Sequence, residues 1–173
     1  LAITRIDAGA LELRRDWVDL REVTERVVSS ARRHGAQQNI EISLPSDLPL
    51  VRADATLAEQ AIGNVVANAI VHTPPETRII VDADVAPDAI ALRVTDDGPG
   101  IPADGLSHIF EKFVKGPESE KSGADGSQGT GLGLAIAKGI MEAHGGAIRG
   151  ESPVQNGRGA RFTMTFPREE TPT

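Results

Sequence analysis

Apolar residues recur along the chain in two rhythms, one of about 3.6 residues and one of two. The helical rhythm is clearest after two aspartates. Asp19, with Glu22 three residues on, precedes Leu20, Val23, Val27, Val28 and Ala31, and Gly35 ends the stripe. Asp54 precedes Leu57, Ala61, Ile62, Val65, Val66, Ala69 and Ile70, and Thr73-Pro74-Pro75 stops that helix near His72. A short helix is predicted over 103–113. Another carries Leu132, Ile136 and Ile140 and is closed by Gly145-Gly146. The two-residue rhythm predicts strands at 11–17, 40–44, 50–51, 78–84, 89–96, 147–152 and 160–166. Residues 1–10 read as the end of a helix stopped by Gly9.

Helices and strands do not alternate strictly, so the order predicts an α+β fold: a two-layer α/β sandwich with a mixed β-sheet covered on one face by helices. At 173 residues the chain is the size of one domain. A polar tail is expected at 168–173. The start on Leu1 is expected of a piece excised from something longer.

Charge and composition remove whole classes of function. Lys+Arg total 18 against Asp+Glu 25, a net charge of −7, which argues against a nucleic-acid or anionic-membrane face. Aromatic residues are 3% of the chain, too few for a base-stacking platform. With Cys at 0 there is no disulfide framework, thiolate metal site or cysteine nucleophile. No apolar run approaches a membrane span, and the first residues are not a signal peptide. The 18 glycines cluster, and that directs attention to loops.

Asn64 and Asn68 lie about 40° apart on one helical face, at the border of the apolar arc. Two neutral amides there suit Mg²⁺, which takes oxygen ligands, or serve as core-edge hydrogen-bonding groups. In the strand ending at Asp96, residues Ile90, Leu92, Val94 and Asp96 share a face. Asp96 therefore points inward and Asp97 outward. A buried carboxylate needs donors. Gly98 and Gly100 leave room beyond it for a planar ligand, whose exocyclic amine would satisfy Asp96; a tight turn bonding backbone amides is the alternative. Gly129-Thr130-Gly131-Leu132-Gly133-Leu134 opens a helix whose bare amides suit an anion. It lacks the Lys of a phosphate loop and does not follow a strand. The polar stretch at about 114–128 between the two glycine loops reads as a lid. Phe110 and Phe113 would anchor one end of it or pack in the core.

In this order the elements resemble the catalytic ATP-binding domain of bacterial sensor histidine kinases, in the GHKL (Bergerat-fold) ATPase superfamily. Asn68, Asp96 and Gly129 follow one another at intervals of 28 and 33 residues. Residues 64–73 resemble the N box, 96–101 the first glycine box, 109–113 the F box and 129–134 the second glycine box. The resemblance covers nearly the whole chain and is closest to the potassium-responsive sensor kinases. It implies a catalytic ATP-binding domain over 11–167, preceded at 1–10 by the end of the second dimerisation and phosphoacceptor helix.

By match, Asn68 would bind Mg²⁺ and Asn64 would assist at the metal or phosphates. Asp96 would take the adenine amine. Gly98, Gly100 and Ile101 would shape its pocket, with His72 packing near the nucleotide. Gly129, Thr130, Gly131, Leu132 and Gly133 would hold phosphates and hinge the lid, with Phe110 and Lys115 at its margin; Lys112 is another candidate for the phosphates. The implied cofactors are ATP and Mg²⁺. The implied partners are the chain's own phosphoacceptor domain upstream and a response regulator, with no nucleic acid. A homodimer is expected only with the upstream helices, and the setting is cytoplasmic.

The chain departs from the pattern at two points. Where the N box usually has a Lys three residues after its second Asn, this chain has Val71, so Lys115 or Lys121 would have to compensate. None of His34, His72, His108 and His144 sits in an acceptor motif, so the phosphoacceptor is expected before Leu1. Hydrolases of the superfamily carry a Glu where this chain has Asn64, which favours phosphoryl transfer over hydrolysis. A non-catalytic ATP-binding module, and a small serine kinase acting on an anti-sigma partner, are the other readings.

Overall fold

The computed structural model describes residues 12–111 and 132–169. The order is β1 (Asp16–Val18), α1 (Leu20–Arg33), β2 (Asn39–Ser43), β3 (Val51–Ala53), α2 (Ala55–Val71), β4 (Arg78–Val85), β5 (Ala89–Asp96), α3 (Ala103–Leu106), α4 (Gly133–Ala143), β6 (Ala147–Glu151) and β7 (Ala160–Pro167). Five strands form one sheet in the order β2-β4-β5-β7-β6, and β1 pairs with β3 in a separate ribbon. The β2–β4 pair is parallel and the other pairs are antiparallel, so the sheet is mixed as expected.

Strand phase builds the core. Ile79 and Val81 on β4, Ile90, Leu92 and Val94 on β5, and Phe162, Met164 and Phe166 on β7 are all buried. They meet Ile62, Val65 and Val66 of α2 and Ile140 and Met141 of α4 in one apolar cluster. The opposite face of the sheet carries ion pairs, chief among them Arg93 on β5 gripping Asp82 and Asp84 on β4. One face is thus apolar and covered, the other charged, which is the pattern of a half-buried sheet.

Both predicted caps form. The Asp19 side chain accepts from Arg21 N, and the Asp54 side chain accepts from Leu57 N. Other boundaries differ from the sequence reading. The first strand is only Asp16–Val18, because its pairing is limited to β3. The predicted helix at 103–113 is a single turn, Ala103–Leu106, with no side-chain cap, followed by turns. Arg168, assigned from sequence to the tail, is tied to the β4–β5 turn through its amide to Asp88 O and its guanidinium to Ala86 O.

Candidate nucleotide site

The site sits where the end of β5 meets the C-terminal half of α2 and the start of α4. Asp96 closes β5 between Ile79 of β4 and Ala160 of β7, and its strand phase turns it inward, 7% exposed. Asp97 is exposed, as the phase requires. It is not idle: its Oδ1 accepts from Arg78 N at 2.9 Å and its own amide donates to Arg78 O, pinning the start of β4.

The Asp96 Oδ1 accepts from Gly98 N at 2.9 Å. Burial pushes its carboxyl above the usual aspartate value. Backbone bonds from Gly98 and Ala160 oppose the shift, Asp97 adds to it, and His72 opposes it. A buried carboxylate with an upward shift at the end of a strand is a common mark of a functional group.

Gly98 has no room for a side chain. A Cβ there would lie 2.8 Å from Thr73 Cγ2 and 3.1 Å from Asp96 Oδ1. This close approach ties the end of α2 to the Asp96 loop. Thr73 is itself fixed, its hydroxyl donating to Ala69 O at 2.7 Å. Gln38 Nε2 donates to Ile70 O and Thr73 O at 2.9 and 3.0 Å, satisfying carbonyls that the helix end leaves open. Gly100 has φ +88, a conformation open to glycine at little cost, and Ile101 follows it half-buried against the core.

Asn64 and Asn68 occupy one face of α2, both half-buried. Asn64 Nδ2 donates to Gly133 O at 3.0 Å, joining α2 to the first residue of α4. The Asn68 side chain makes no hydrogen bond among the described residues and presents an amide oxygen, the donor type that Mg²⁺ takes. Val71 is 38% exposed on the same face. Leu132 precedes α4 without a side-chain cap, so the first amides of the helix lack intrahelical acceptors.

The structure therefore brings together Asn64, Asn68, His72, Asp96, Gly98, Gly100, Ile101, Leu132 and Gly133. Phe110 stands differently: it packs edge-on against Phe162 at 6.1 Å and joins the core. Lys112, Phe113, Lys115, Lys121, Gly129, Thr130, Gly131, the lid at 114–128 and the helix end at 1–10 lie outside the described residues.

Sequence reasoning missed Gln38, Ser152 and Gly159 as parts of the framework, and placed Thr73 at the helix end and in the N box without its contact to Gly98. Gly159 carried a signal: with Gly157 it forms a glycine pair between two strands, longer than a tight hairpin turn needs.

Residues 53–170 match the family of histidine kinase-, DNA gyrase B-, and HSP90-like ATPases. The chain belongs to this family.

Its relatives are sensor kinases. Sensor protein KdpD of Escherichia coli is 33% identical over 172 residues, covering 99% of this chain and 18% of KdpD. That relative is consistent with the resemblance to potassium-responsive kinases. Probable sensor histidine kinase TcrY of Mycobacterium tuberculosis is 37% identical over 148 residues, covering 86% of this chain and 30% of TcrY. The chain thus spans less than a third of either relative. Among solved structures, the mycobacterial sensor histidine kinase MprB superposes with a TM-score of 0.75 at 31% identity, over 90% of this chain and 100% of that one. Full-length ShkA in complex with AMPPNP superposes at 0.79 with 28% identity, over 96% of this chain and 34% of ShkA. The HATPase domain is an ATP-binding domain, and its two-layer architecture is the one described above.

Proposed function

We propose that this domain binds ATP with Mg²⁺ and transfers the γ-phosphoryl group to a histidine on a neighbouring helical domain, feeding a response regulator in two-component signalling. The carrying observation is the buried Asp96 carboxylate at the end of β5, beside a glycine that admits no side chain. It offers an acceptor for the adenine amine in a setting with little competing water.

Asn68 and Asn64 would serve at the metal and phosphate end, Asn68 supplying an amide oxygen to Mg²⁺ and the nucleotide phosphates supplying others. The metal neutralises phosphate charge when bound. The start of α4 would meet the phosphates with free amides. Gly129, Thr130, Gly131 and Lys115 belong to the same proposal as phosphate and lid residues. His72 would pack beside the nucleotide.

Asn64 stands where hydrolases of the superfamily carry a proton-accepting Glu, and an amide cannot accept a proton from water. This supports transfer over hydrolysis. Val71 in the usual Lys position supports a second reading, a module that binds ATP and signals by docking. Among the described residues no helix is long and apolar enough to cross a membrane. We assign the domain to the cytoplasmic part of a sensor, dimeric through helices upstream of it.

Calorimetric titration with ATP and Mg²⁺, followed by incubation with radiolabelled ATP, tests the reading. The chain alone should bind ATP and take up no acid-labile label. A chain extended by the upstream hairpin should be labelled on a hairpin histidine. Binding without label on the extended chain would favour the docking module.

A further inference from the structure

We infer that Ser152 is a positioning residue for base recognition, holding the first glycine loop and the Asp96 carboxylate in register from outside the site; the inference rests on the ATP-site reading above.

Ser152 follows the last residue of β6 and starts the β6–β7 loop. Its hydroxyl donates to Gly159 O at 2.7 Å and accepts from Ile101 N at 2.8 Å. A hydroxyl carries one proton and two lone pairs, so both bonds form at once. Gly159, at the far end of the same loop, donates its amide to Gly98 O at 2.9 Å. Gly98 in turn donates its amide to Asp96 Oδ1 at 2.9 Å. The bonds connect Ile101, Ser152, Gly159, Gly98 and Asp96, and so link the glycine loop to a loop more than fifty residues away in sequence.

The close approaches along this path leave little slack. A Cβ on Gly100 would lie 2.8 Å from Ser152 Oγ, and one on Gly159 would lie 2.5 Å from Asp96 O. Gly100 and Gly159 have φ +88 and +87, so both the space and the backbone conformation call for glycine. The Ser152 hydroxyl is the one side-chain group in the path other than the Asp96 carboxylate. Without it, the buried Gly159 carbonyl and the Ile101 amide lose their partner, and a buried polar group left unpaired is costly. The loop would relax, and with it the Gly98 amide that fixes Asp96.

Ser152→Ala and Ser152→Thr, made in this chain, test the inference. The first readout is the NMR titration of the Asp96 carboxyl without nucleotide. S152A should move its midpoint upward, because the Gly98 bond that opposes the shift is loosened, and S152T should restore it. A residue that only stabilised the loop would change the melting temperature and leave that midpoint alone. The second readout is calorimetric affinity for ATP and for adenosine, measured well below the unfolding transition. S152A should weaken both by the same factor, about 3- to 10-fold. An unmoved Asp96 midpoint with unchanged affinities, or a loss for ATP with none for adenosine, overturns the inference alone. If the unsubstituted chain binds neither ligand, the ATP-site reading falls and this inference falls with it. Should S152A not fold, Ser152→Cys, which keeps a weak donor and acceptor at the same place, gives the same readouts.

Discussion

The two ends of the candidate site are built differently. At the Asp96 end, backbone amides, glycines and a serine hydroxyl are bonded to one another and to the sheet. At the Asn68 end, side chains stand on a helix face. Asn64 alone reaches across to α4, Asn68 has no hydrogen-bond partner among the described residues, and Val71 is exposed. The first end is shaped before a ligand arrives; the second offers groups that a ligand and its metal would draw together. On the proposed reading, preorganisation would favour selectivity for the base, and the looser end would leave room for phosphates to change position during transfer.

The largest test of this contrast is Asp96→Ala. It removes a charged hydrogen bond and should weaken ATP about 10- to 150-fold while the domain remains folded. Titrating ATP and GTP against the substituted and unsubstituted chains measures it. The unsubstituted chain should reject GTP, which has a carbonyl where ATP has the amine, and equal binding of the two would put the base pocket elsewhere.

Gly98→Ala should come next. Its Cβ meets Thr73 Cγ2 at 2.8 Å, and Thr73 cannot turn away without losing its bond to Ala69 O. Overpacking of this kind costs about 1–3 kcal/mol. Adding Thr73→Ser removes the obstructing methyl, keeps the hydroxyl and should recover part of the loss. Urea unfolding of the two single variants and the double variant reads the coupling. Strict additivity would mean that the end of α2 does not brace the glycine loop.

At the looser end, Val71→Lys adds a cation on the Asn64–Asn68 face. Its partly exposed position limits the gain to about tenfold in ATP affinity, with no gain for adenosine. A parallel gain for both ligands would show that the change acts away from the phosphates.

The smallest effect is one of pH. Burial raises the Asp96 carboxyl value in the folded chain above its unfolded value. Between those values the folded state binds more proton than the unfolded one. The stability contributed by this group therefore falls as pH rises through the window and stays low above it. Asp96→Asn keeps an acceptor for Gly98 N and does not titrate. Melting temperatures measured from about pH 4 to about pH 7 should decline less with rising pH in this variant. An unchanged slope would show that the carboxylate carries no such cost.

The same contrast explains what the sequence made legible. The Asp96 orientation followed from three apolar residues at alternate positions, a local pattern that the sheet preserves. The Asn64–Asn68 face and the Asp19 and Asp54 caps were local as well. The Ser152 bonds, the Gln38 bonds to the end of α2 and the Phe110–Phe162 contact join segments distant in sequence, and no periodicity encodes them. The helix predicted to 113 stops at Leu106 because helical spacing of Leu106, Ile109 and Phe110 does not outweigh the lack of a cap and a Gly in its first turn. The Gly145-Gly146 pair that closes the last helix is a local signal too, and His144 just before it caps α4; that His144 reaches another helix is not visible in the sequence.

That buried imidazole has a mechanical meaning. His144 Nδ1 donates to Ile140 O at 2.8 Å, which leaves Nε2 to accept from Asp54 N at 3.0 Å. Asp54 caps the start of α2, and its other oxygen accepts from Arg14 N. The two helices are thus riveted here, deep in the protein, as well as along their apolar seam. Asn64 and Gly133, which join the same two helices through Asn64 Nδ2 and Gly133 O, lie about 15 Å away at the helical rise per residue. Because Arg14 N bonds the same Asp54, the chain entering from the N-terminal side is tied in one step to the start of α2 and in two to the end of α4.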